Sequence, residues 1–283
     1  MQMLWLKVGR GFFRRLYEPA GSLAPYEEFS DHASEYARAK LAQAKRDLST
    51  FSRFVDLSGK RILDIGSGDG KKTAFYSLKS RETVGIDIGR DYVREAYRSA
   101  KNRDIPKVDF VTGDAGQLPF RAGSFDLVIS NDAFEHLKDW RSTLREIERI
   151  LKDRGVACLS FGPLWFSAFG SHMDFGEFFS PPWSHLMFSE ENIKGVLYAL
   201  GKIKDTDLNE PLYMHHLNHI TSQEFEQSIR STEFSVLFFR LFTVPPFNLF
   251  LRTPFREFFT TQVAVVLQKA SHMLDTAAGE NRT

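Results

Sequence analysis

The sequence predicts a doubly wound α/β fold, in which helices cover a mostly parallel sheet. Short apolar runs rich in Val, Ile and Phe alternate with segments of helical periodicity. Strand, helix, strand in repetition requires parallel pairing with right-handed crossovers. The first apolar run, Arg61–Ile65, leads into a glycine-rich turn, GSGDG, before a helical segment. This is where an open α/β sheet brings its backbone close to a ligand.

Seven strands are predicted. Five of them are short and apolar and lie at Arg61–Ile65, Thr83–Ile86, Val108–Val111, Phe125–Ser130 and Val156–Phe161. The helices that separate most of these strands are predicted at Lys71–Leu78, Asp91–Lys101 and Asp139–Lys152. The connection Gly113–Arg121 is too short and turn-rich for a helix. The last two strands, Phe234–Phe242 and Gln262–Gln268, have no helical pattern between them, which predicts an antiparallel edge.

The composition predicts an intracellular protein, placed in the cytoplasm. A chain of 283 residues can bury a substantial core, and its one cysteine, Cys158, excludes an intramolecular disulfide. There is no secretory apolar segment. The net charge of +1 gives no electrostatic case for nucleic acid. The most apolar stretch, Ser235–Leu251, is interrupted by Arg240 and by Pro245–Pro246, so no transmembrane helix is predicted.

The glycine-rich turn and one following acid predict a nucleoside ligand. Glycines at 66, 68 and 70 remove side chains that would keep a ligand from the backbone. Asp87 ends the next strand, 21 residues after Gly66. A carboxylate at that place can accept hydrogen bonds from two ribose hydroxyls.

Two phosphate-binding motifs fail at this turn. A P-loop requires glycine where Ile65 stands, and the dinucleotide fingerprint requires its third glycine where Lys71 stands. In addition, the predicted strand ends bring three carboxylates, Asp64, Asp87 and Asp114, around one crevice. These acids would repel a pyrophosphate and attract a ligand that carries a sulfonium and an ammonium group. S-adenosylmethionine is such a ligand.

In its motifs the chain resembles the class I S-adenosylmethionine-dependent methyltransferases, in particular the small-molecule and lipid branch typified by the ubiquinone-biosynthesis enzymes. The resemblance runs in order from about Lys60 to Pro163. It rests on DIGSGDG at Asp64–Gly70, GID at Gly85–Asp87, GDA at Gly113–Ala115, LPF at Leu118–Phe120 and SFDLVISN at Ser124–Asn131. It implies a Rossmann-like methyltransferase fold, methyl transfer to a small acceptor, and S-adenosylhomocysteine as product.

The resemblance also implies which residues bind the cofactor. These positions lie at the ends of the first four strands and just after them: Asp64, Gly66, Ser67, Gly68, Asp87, Ile88, Asp114, Ala115 and Asn131. Asp64 would orient the amino group, Asp87 would hold the ribose, Asp114 would accept from the adenine amine, and Asn131 would lie beside the sulfonium. Asp69 departs from the family pattern, and its carboxylate is expected to turn outward.

A histidine is the expected base if the acceptor is a hydroxyl or thiol, and the catalytic candidates are His136, His172 and His185. The segment DAFEH, Asp132–His136, also resembles one that binds a divalent cation in some ubiquinone-pathway enzymes. Its ligands would be Asp132, Glu135 and His136. The favoured interpretation is a segment without metal, in which these residues cap and pack. His136 is then a base, part of the acceptor-site wall, or structural.

An aromatic insertion, Phe161–Phe188, precedes a helix that Ser189 is predicted to cap. Long connections of this kind are often lids, so one interpretation is a cover over an apolar acceptor, lined by Trp165, Trp183, His172 and His185. The alternative is a second small core. Its aromatic members are Trp165, Phe166, Phe169, Phe175, Phe178, Phe179, Trp183 and Phe188.

The predicted organisation has five parts. They are an N-terminal helical cap or arm at 1–55, a cofactor-binding core at 56–163, a lid and acceptor-binding insertion at 164–230, edge strands at 231–270 and a tail at 271–283. Residues 1–16 have an amphipathic pattern with Lys and Arg on one side, which indicates peripheral membrane contact or docking on the chain's own domain. Two function classes stay open: a methyltransferase, and a non-catalytic S-adenosylmethionine-binding protein or partner subunit.

Overall fold

The fold is described from a computed structural model for residues 48–172, 182–243 and 247–271. The chain divides into two compact units, 1–53 and 54–283, and the sheet lies in the second. The amphipathic segment at residues 1–16, most of the predicted N-terminal cap, and the tail from 272 onward lie outside the described residues. Among the helices that are described, none has the length and apolar character to cross a membrane.

A seven-stranded sheet is formed by the described residues, in the order β3-β2-β1-β4-β5-β7-β6. Its strands are β1 Arg61–Ile65, β2 Glu82–Asp87, β3 Val108–Thr112, β4 Phe125–Asn131, β5 Leu151–Phe161, β6 Phe234–Thr243 and β7 Thr260–Lys269. Strands β1 to β5 run parallel, and β7 pairs antiparallel with both β5 and β6. The predicted fold class, with its antiparallel edge, is confirmed. The strand order reverses between β1 and β4, so the ligand crevice is expected at their carboxyl ends.

Helices connect the strands. They are α1 Lys71–Ser77, α2 Arg90–Asn102, α3 Trp140–Ile150, α4 Ser184–Met187, α5 Glu190–Ala199, α6 Ser222–Ile229 and α7 Arg256–Phe259. Short 3₁₀ turns lie at Phe134–His136, Asp205–Asn209, Tyr213–His216 and Phe247–Arg252. Asp139 caps α3 through the Ser142 N–H, and Ser189 caps α5 as predicted. No helix forms between β3 and β4, as predicted for Gly113–Arg121.

An aromatic cluster anchors the turn that follows β4. Phe134 lies in this turn and packs on Phe161 at the end of β5 and on Phe225 of α6, with ring centroids 5.6 and 5.8 Å away. Phe161 and Phe225 are themselves 4.8 Å apart, and all three are fully buried. Each aromatic pair adds roughly 0.5–1.5 kcal/mol beyond the area it buries. The neighbouring Glu135 and His136 are therefore carried by a well-packed core.

The predicted start of the fifth strand is wrong by five residues. Strand β5 begins at Leu151, where Val156 was predicted, and α3 ends at Ile150 instead of Lys152. Leu151 is completely buried and pairs with Phe125 of β4 across an irregular register. Burial at Leu151 continues the apolar spacing of the helix, so periodicity alone could not separate the two elements.

Two short helical elements lie between the last two strands, where the sequence shows no helical pattern. Residues 247–252 form a 3₁₀ turn and 256–259 form α7 before β7 begins. Elements of six and four residues are too short to show a helical period.

Candidate functional site

The glycine-rich turn after β1 is hydrogen-bonded to β2 and borders open space at Gly68. The N–H groups of Gly66 and Ser67 donate to the carbonyl of Ile86, at 2.9 and 3.1 Å. A Cβ on Gly66 would lie 2.4 Å from the Cβ of Ala133, so the turn packs closely on the segment after β4. Gly68 is different, because none of the residues placed in the structure comes within 4 Å of its Cβ position. Its backbone, at φ +52°, borders open space.

Asp87 presents its carboxylate beside that open position. Oδ2 accepts a hydrogen bond from the Gly68 N–H at 2.9 Å, and Oδ1 accepts one from the Gly89 N–H at 2.8 Å. Each oxygen has further lone pairs, so the two backbone donors orient the carboxylate without exhausting it. The next residue, Ile88, is an apolar side chain that is 74% exposed.

The loop after β3 is tied to the same strand end. The Gly113 N–H donates to the carbonyl of Asp87 at 3.0 Å. The exposed side chain of Asp114 accepts from the Gly116 N–H at 2.8 Å, and Ala115 beside it is buried. The carboxylates of Asp87 and Asp114 thus lie at neighbouring strand ends, as the parallel pairing of β2 and β3 requires.

The third acid of the predicted ring, Asp64, is buried below the turn. It is 3% exposed, and its Oδ2 accepts from the hydroxyl of Thr73 in α1 at 2.6 Å. The hydroxyl of Ser67 is also buried and has no hydrogen-bond partner among the described residues. Asp69 forms an ion pair with Lys71, and both side chains are partly exposed.

Asn131, at the end of β4, has its side-chain amide held between two hydroxyls. Its Nδ2 donates to the Tyr76 hydroxyl at 3.0 Å, and its Oδ1 accepts from the Ser160 hydroxyl at 2.8 Å. These buried contacts fix the amide between α1 and β5. Neither partner was identified from the sequence, because they lie 55 and 29 residues away with no local pattern to connect them.

A second polar cluster lies where the turn after β4 meets the segment after β5. One ligand atom each of Glu135, His136 and His172 lies within 4.8 Å of the others. Glu135 is buried, and its Oε1 accepts from the Gly162 N–H at 3.1 Å. Its Oε2 has no hydrogen-bond partner in the described part of the chain. Burial, with the nearby charge of Asp132, raises the pKa of Glu135 to about 8.

The two imidazoles of this cluster are held neutral. The rings of His136 and His172 meet edge to face, with centroids 5.3 Å apart. Burial above all, together with His172, lowers the pKa of His136 to about 4. The pKa of His172 is also lowered by burial. Its Nε2 lies 2.8 Å from the Pro163 carbonyl, which can only accept, so Nε2 carries the hydrogen and Nδ1 keeps the lone pair.

Asp132 does not belong to this cluster, which corrects the predicted metal-ligand set. Its carboxylate forms an ion pair with Lys72 of α1, at 3.0 Å. The group whose geometry could hold a cation therefore combines Glu135 and His136 with His172 from the insertion. Sequence spacing could not show this, because His172 reaches the cluster only through the tertiary fold.

The remaining members of the predicted acceptor wall separate into two groups. Trp165 stacks on His219 with centroids 3.9 Å apart and meets His185 edge to face at 4.9 Å. The Nε2 of His185 donates to the Trp165 carbonyl at 2.6 Å. Trp183 lies instead beside α7, where its Nε1 donates to the Phe258 carbonyl at 3.3 Å. Phe175, Phe178 and Phe179 lie outside the described residues.

Asn218 holds the Glu135 turn from outside and was not identified from the sequence. Its N–H donates to the carbonyl of Glu135 at 2.9 Å, and its Nδ2 donates to the carbonyls of Leu137 and Phe134 at 2.8 and 2.5 Å. Its Oδ1 accepts from the Ile220 N–H at 3.0 Å. No pattern marks this residue in the sequence, since it lies in an irregular loop.

The strand order and the glycine turn facing Asp87 define the class I S-adenosylmethionine-dependent methyltransferase fold. Residues 63–159 match the family described as a methyltransferase domain. This part of the chain is therefore similar to methyltransferase domains, and the resemblance found in the sequence is confirmed.

Comparison with individual proteins agrees with this assignment. An uncharacterized methyltransferase of Bacillus subtilis, YcgJ, is 32% identical over 45% of this chain and 51% of its own length. A demethylmenaquinone methyltransferase of Lactococcus lactis is 32% identical over 47% of this chain and 56% of its own length. The chain thus spans about half the length of these relatives. The crystal structure of the [4+2]-cyclase SpnF shares the fold, with a TM-score of 0.55 at 16% identity over 82% of each chain.

Proposed function

We propose that this protein transfers a methyl group from S-adenosylmethionine to a small, apolar or lipid-like acceptor. The observation that carries the proposal is the carboxylate of Asp87, oriented by the N–H groups of Gly68 and Gly89 at the open edge of the glycine turn. A nucleoside that lies along this edge finds two acceptor oxygens for its two ribose hydroxyls. A bound nucleotide phosphate would instead meet carboxylates.

The residues around Asp87 fit the rest of the cofactor. The exposed side chain of Ile88 offers an apolar surface for the adenine ring, and the exposed carboxylate of Asp114 can accept from its amine. The buried hydroxyl of Ser67, without a partner among the described residues, can serve the ribose or methionine part. Gly66 and Gly68 supply backbone without side chains at the same edge.

Asp64 and Asn131 act in this proposal through the residues that hold them. The contact of Asp64 with Thr73 fixes its carboxylate under the turn, from which it orients the amino group directly or through water. The contacts of Asn131 with Tyr76 and Ser160 fix the end of β4, where the reacting methyl group is expected.

The main requirement that this reaction places on the protein is to align the acceptor with the methyl group. The sulfonium of S-adenosylmethionine makes its methyl group electrophilic, so that an acceptor atom bonds to the methyl carbon while the carbon–sulfur bond breaks and sulfur keeps the electron pair. The protein must hold the acceptor in line, exclude water and, for a hydroxyl acceptor, remove one proton.

His172 is the base in this proposal. Its Nε2 is fixed by the Pro163 carbonyl, which leaves the Nδ1 lone pair to take a proton. Burial keeps His172 and His136 neutral at physiological pH, so both can accept a hydrogen bond. Glu135 is mostly protonated at pH 7, because its pKa is raised to about 8. It can therefore donate a hydrogen bond to an oxygen of the substrate that receives the methyl group. His185 is held by the Trp165 carbonyl and forms the wall of the site rather than the base.

The apolar character of the acceptor is supported by the aromatic residues around these polar groups. Trp165 is only half-buried, although it stacks on His219 and contacts His185. Phe166 extends the surface toward Phe258, with centroids 6.1 Å apart. A relative named for a quinone-type acceptor, demethylmenaquinone, loosely supports the same class of compound.

The alternative is a protein that binds S-adenosylmethionine without transferring its methyl group. A protein named as a [4+2]-cyclase shares the fold, so the fold by itself does not determine the reaction. Turnover separates the two proposals. The cytoplasmic location and the membrane contact through residues 1–16 stay predictions.

Binding and turnover experiments test the proposal. S-adenosylhomocysteine should bind in calorimetry and raise the melting temperature in thermal denaturation, whereas NAD and ATP should not. At 100 times its Kd, the ligand should add about 2.7 kcal/mol to the free energy of unfolding. Asp87→Ala should remove most of this shift, and Asp91→Ala, at an exposed acid on α2, should leave it intact. Radiolabelled cofactor incubated with a lipid extract should then yield a labelled lipid. Equal shifts with NAD would contradict the cofactor, and cofactor binding without any labelled product would favour the non-catalytic alternative.

A further inference from the structure

The connection between β6 and β7 exposes large apolar side chains at its tip. In residues 247–258, Leu249 is 84% exposed, Phe255 is 58% exposed and Phe258 is 40% exposed. Exposed apolar clusters of this kind mark surfaces that contact a membrane, a ligand or another protein.

An aromatic stack supports these side chains from behind. Phe259 lies 4.8 Å from Phe247 and 4.4 Å from Phe250, centroid to centroid, and both pairs are nearly parallel. The 3₁₀ turn and α7 are therefore braced against each other. Leu249 and Phe255 remain exposed on an ordered support.

A second segment adds to the same region. Trp183 donates to the Phe258 carbonyl and packs edge to face on Phe259, with centroids 5.9 Å apart. It is followed by α4, where Met187 is 60% exposed, and by Phe188, which is also exposed. We call residues 183–188 together with 247–258 the apolar edge.

A cation-rich cavity of about 410 Å³ borders the apolar edge. It lies between α6 and the 3₁₀ turn, and its lining includes Glu226, Arg230, Leu251, Arg252 and Arg256.

The charges of this cavity do not balance. Arg256 pairs with Glu226 at 3.0 Å and with Glu257 at 3.2 Å. Arg230 has only a longer contact with Glu226, at 3.6 Å, and its side chain is mostly exposed. Arg252 is exposed and forms no ion pair within the described residues. The cavity therefore keeps excess positive charge beside the exposed Leu249.

We propose that the apolar edge docks on an anionic phospholipid membrane, with Leu249, Phe255 and Met187 entering the lipid and Arg252 and Arg230 binding a lipid phosphate. Apolar side chains flanked by arginine are suited to the boundary between acyl chains and anionic headgroups. A second copy of the chain fits less well. A two-fold interface through this edge would bring the excess positive charge of both copies together.

Docking at the apolar edge would bring the proposed acceptor site close to the membrane. The docking itself does not depend on methyl transfer. Phe258 of the apolar edge contacts Phe166, which follows Trp165 in the insertion. The edge is thus continuous with the aromatic residues that we propose contact the acceptor. An acceptor dissolved in the bilayer would meet them without crossing water.

The test is flotation of the full-length chain with vesicles, without cofactor or acceptor. The wild type should float with vesicles of phosphatidylcholine and phosphatidylglycerol, and less with phosphatidylcholine alone or at high salt. Leu249→Glu and Phe255→Glu should each lower the bound fraction on both vesicle types, by about ten-fold. Arg252→Glu should weaken binding to the anionic vesicles alone, also by about ten-fold.

Matched controls lie on α2, beside β2 and β3 at the other end of the sheet. Tyr97→Glu replaces an aromatic residue that is 52% exposed, and Arg98→Glu reverses an exposed arginine. Both should bind like the wild type. The proposal is overturned if the wild type stays with the unbound protein, if the edge variants float like the wild type, or if the control variants lose as much binding. Light scattering that shows a wild-type dimer and a Leu249→Glu monomer, with no vesicle binding, would assign the edge to a second copy instead.

Discussion

The imidazole rings of His136 and His172 meet edge to face, 5.3 Å apart, and so join the turn after β4 to the insertion after β5. Glu135 lies in the same group and is held by the N–H of Gly162 at the end of β5. Three titratable side chains are thus enclosed at one junction of the fold, which makes the protein's stability depend on pH in a specific way.

Glu135 should make the protein less stable as pH rises. Its pKa is about 8 in the folded chain and near 4.5 in the unfolded chain, so between these values only the folded state holds the proton. Stability from this group is complete below about pH 4.5 and is lost as pH rises through 8. Glu135→Gln should remove this loss, and the slope of unfolding free energy against pH should differ from the wild type by up to about 1.4 kcal/mol per pH unit.

The window for that measurement lies above pH 6.5. The lowered pKa of His136, about 4 against 6.5, acts in the opposite direction, because its stability is lost as pH falls below 6.5. Lys72 and Asp132 also influence Glu135, and both are retained in the variant. Urea unfolding at pH 6.5, 7 and 8 supplies the free energies. If the unfolding free energy of the wild type and of Glu135→Gln changes equally with pH, the pKa of Glu135 is not raised.

Gly66→Ala should destabilise the protein more than Gly59→Ala. Both glycines have positive φ, at 73° and 68°, so alanine costs about 1–2 kcal/mol at either position. Only at Gly66 would the new Cβ also meet a neighbour, 2.4 Å from the Ala133 Cβ, which adds about 1–3 kcal/mol. Chemical denaturation of the two variants measures the difference. Equal losses would mean that the turn moves away from Ala133 at no cost.

His172→Gln should lower kcat by about 10²–10⁴-fold for an acceptor that must lose a proton. The affinity for S-adenosylhomocysteine should stay within about two-fold of the wild type, since His172 is not among the residues proposed to hold the cofactor. The measurements are steady-state kinetics and calorimetry. If the variant keeps full kcat at all pH values, His172 is not the base.

Removal of divalent metal should leave methyl transfer unchanged. Glu135, His136 and His172 could hold a cation, yet a protonated Glu135 and two neutral imidazoles also form a consistent group without one. Activity after treatment with a chelator, compared with activity after added magnesium, checks this. Loss on chelation and recovery with magnesium, mimicked by Glu135→Ala, would assign a metal to the cluster.

Asn218→Ala should loosen the turn that carries Glu135 and His136. The variant loses two hydrogen bonds to the carbonyls of Phe134 and Leu137 and one from Ile220, so a cost of about 1–3 kcal/mol is expected. Hydrogen exchange should accelerate in the loop after the 3₁₀ turn at Tyr213–His216. Asn192→Ala, at an exposed position on α5, is the control and should change neither quantity.

The sequence predicted the sheet and the position of the glycine turn because both depend on local patterns. Buried strands appear as apolar runs, and a turn such as Gly66–Gly70 is visible because its positive-φ positions, 66, 68 and 70, favour glycine. Asp87 could be identified because it ends a strand next to the turn in a parallel sheet.

The second cluster could not be predicted in the same way. Asp132 was named as a metal ligand with Glu135 and His136 because the three are close in sequence, but its carboxylate pairs with Lys72 from a different element. His172 and Asn218 reach Glu135 through long connections that follow no period. The helical turns between β6 and β7 were missed because elements of six and four residues leave no repeat to detect.

The strand order has a consequence for how the polypeptide is made. Strand β7, synthesised after all the others, lies between β5 and β6. A nascent chain on the ribosome that has released β6 but not β7 cannot close the sheet, because β5 and β6 are not neighbours. Two unpaired strand edges stay open at that moment, and such edges are sites of mispairing between chains. The risk of aggregation through these two edges therefore lasts until β7 has left the ribosome and paired with β5 and β6.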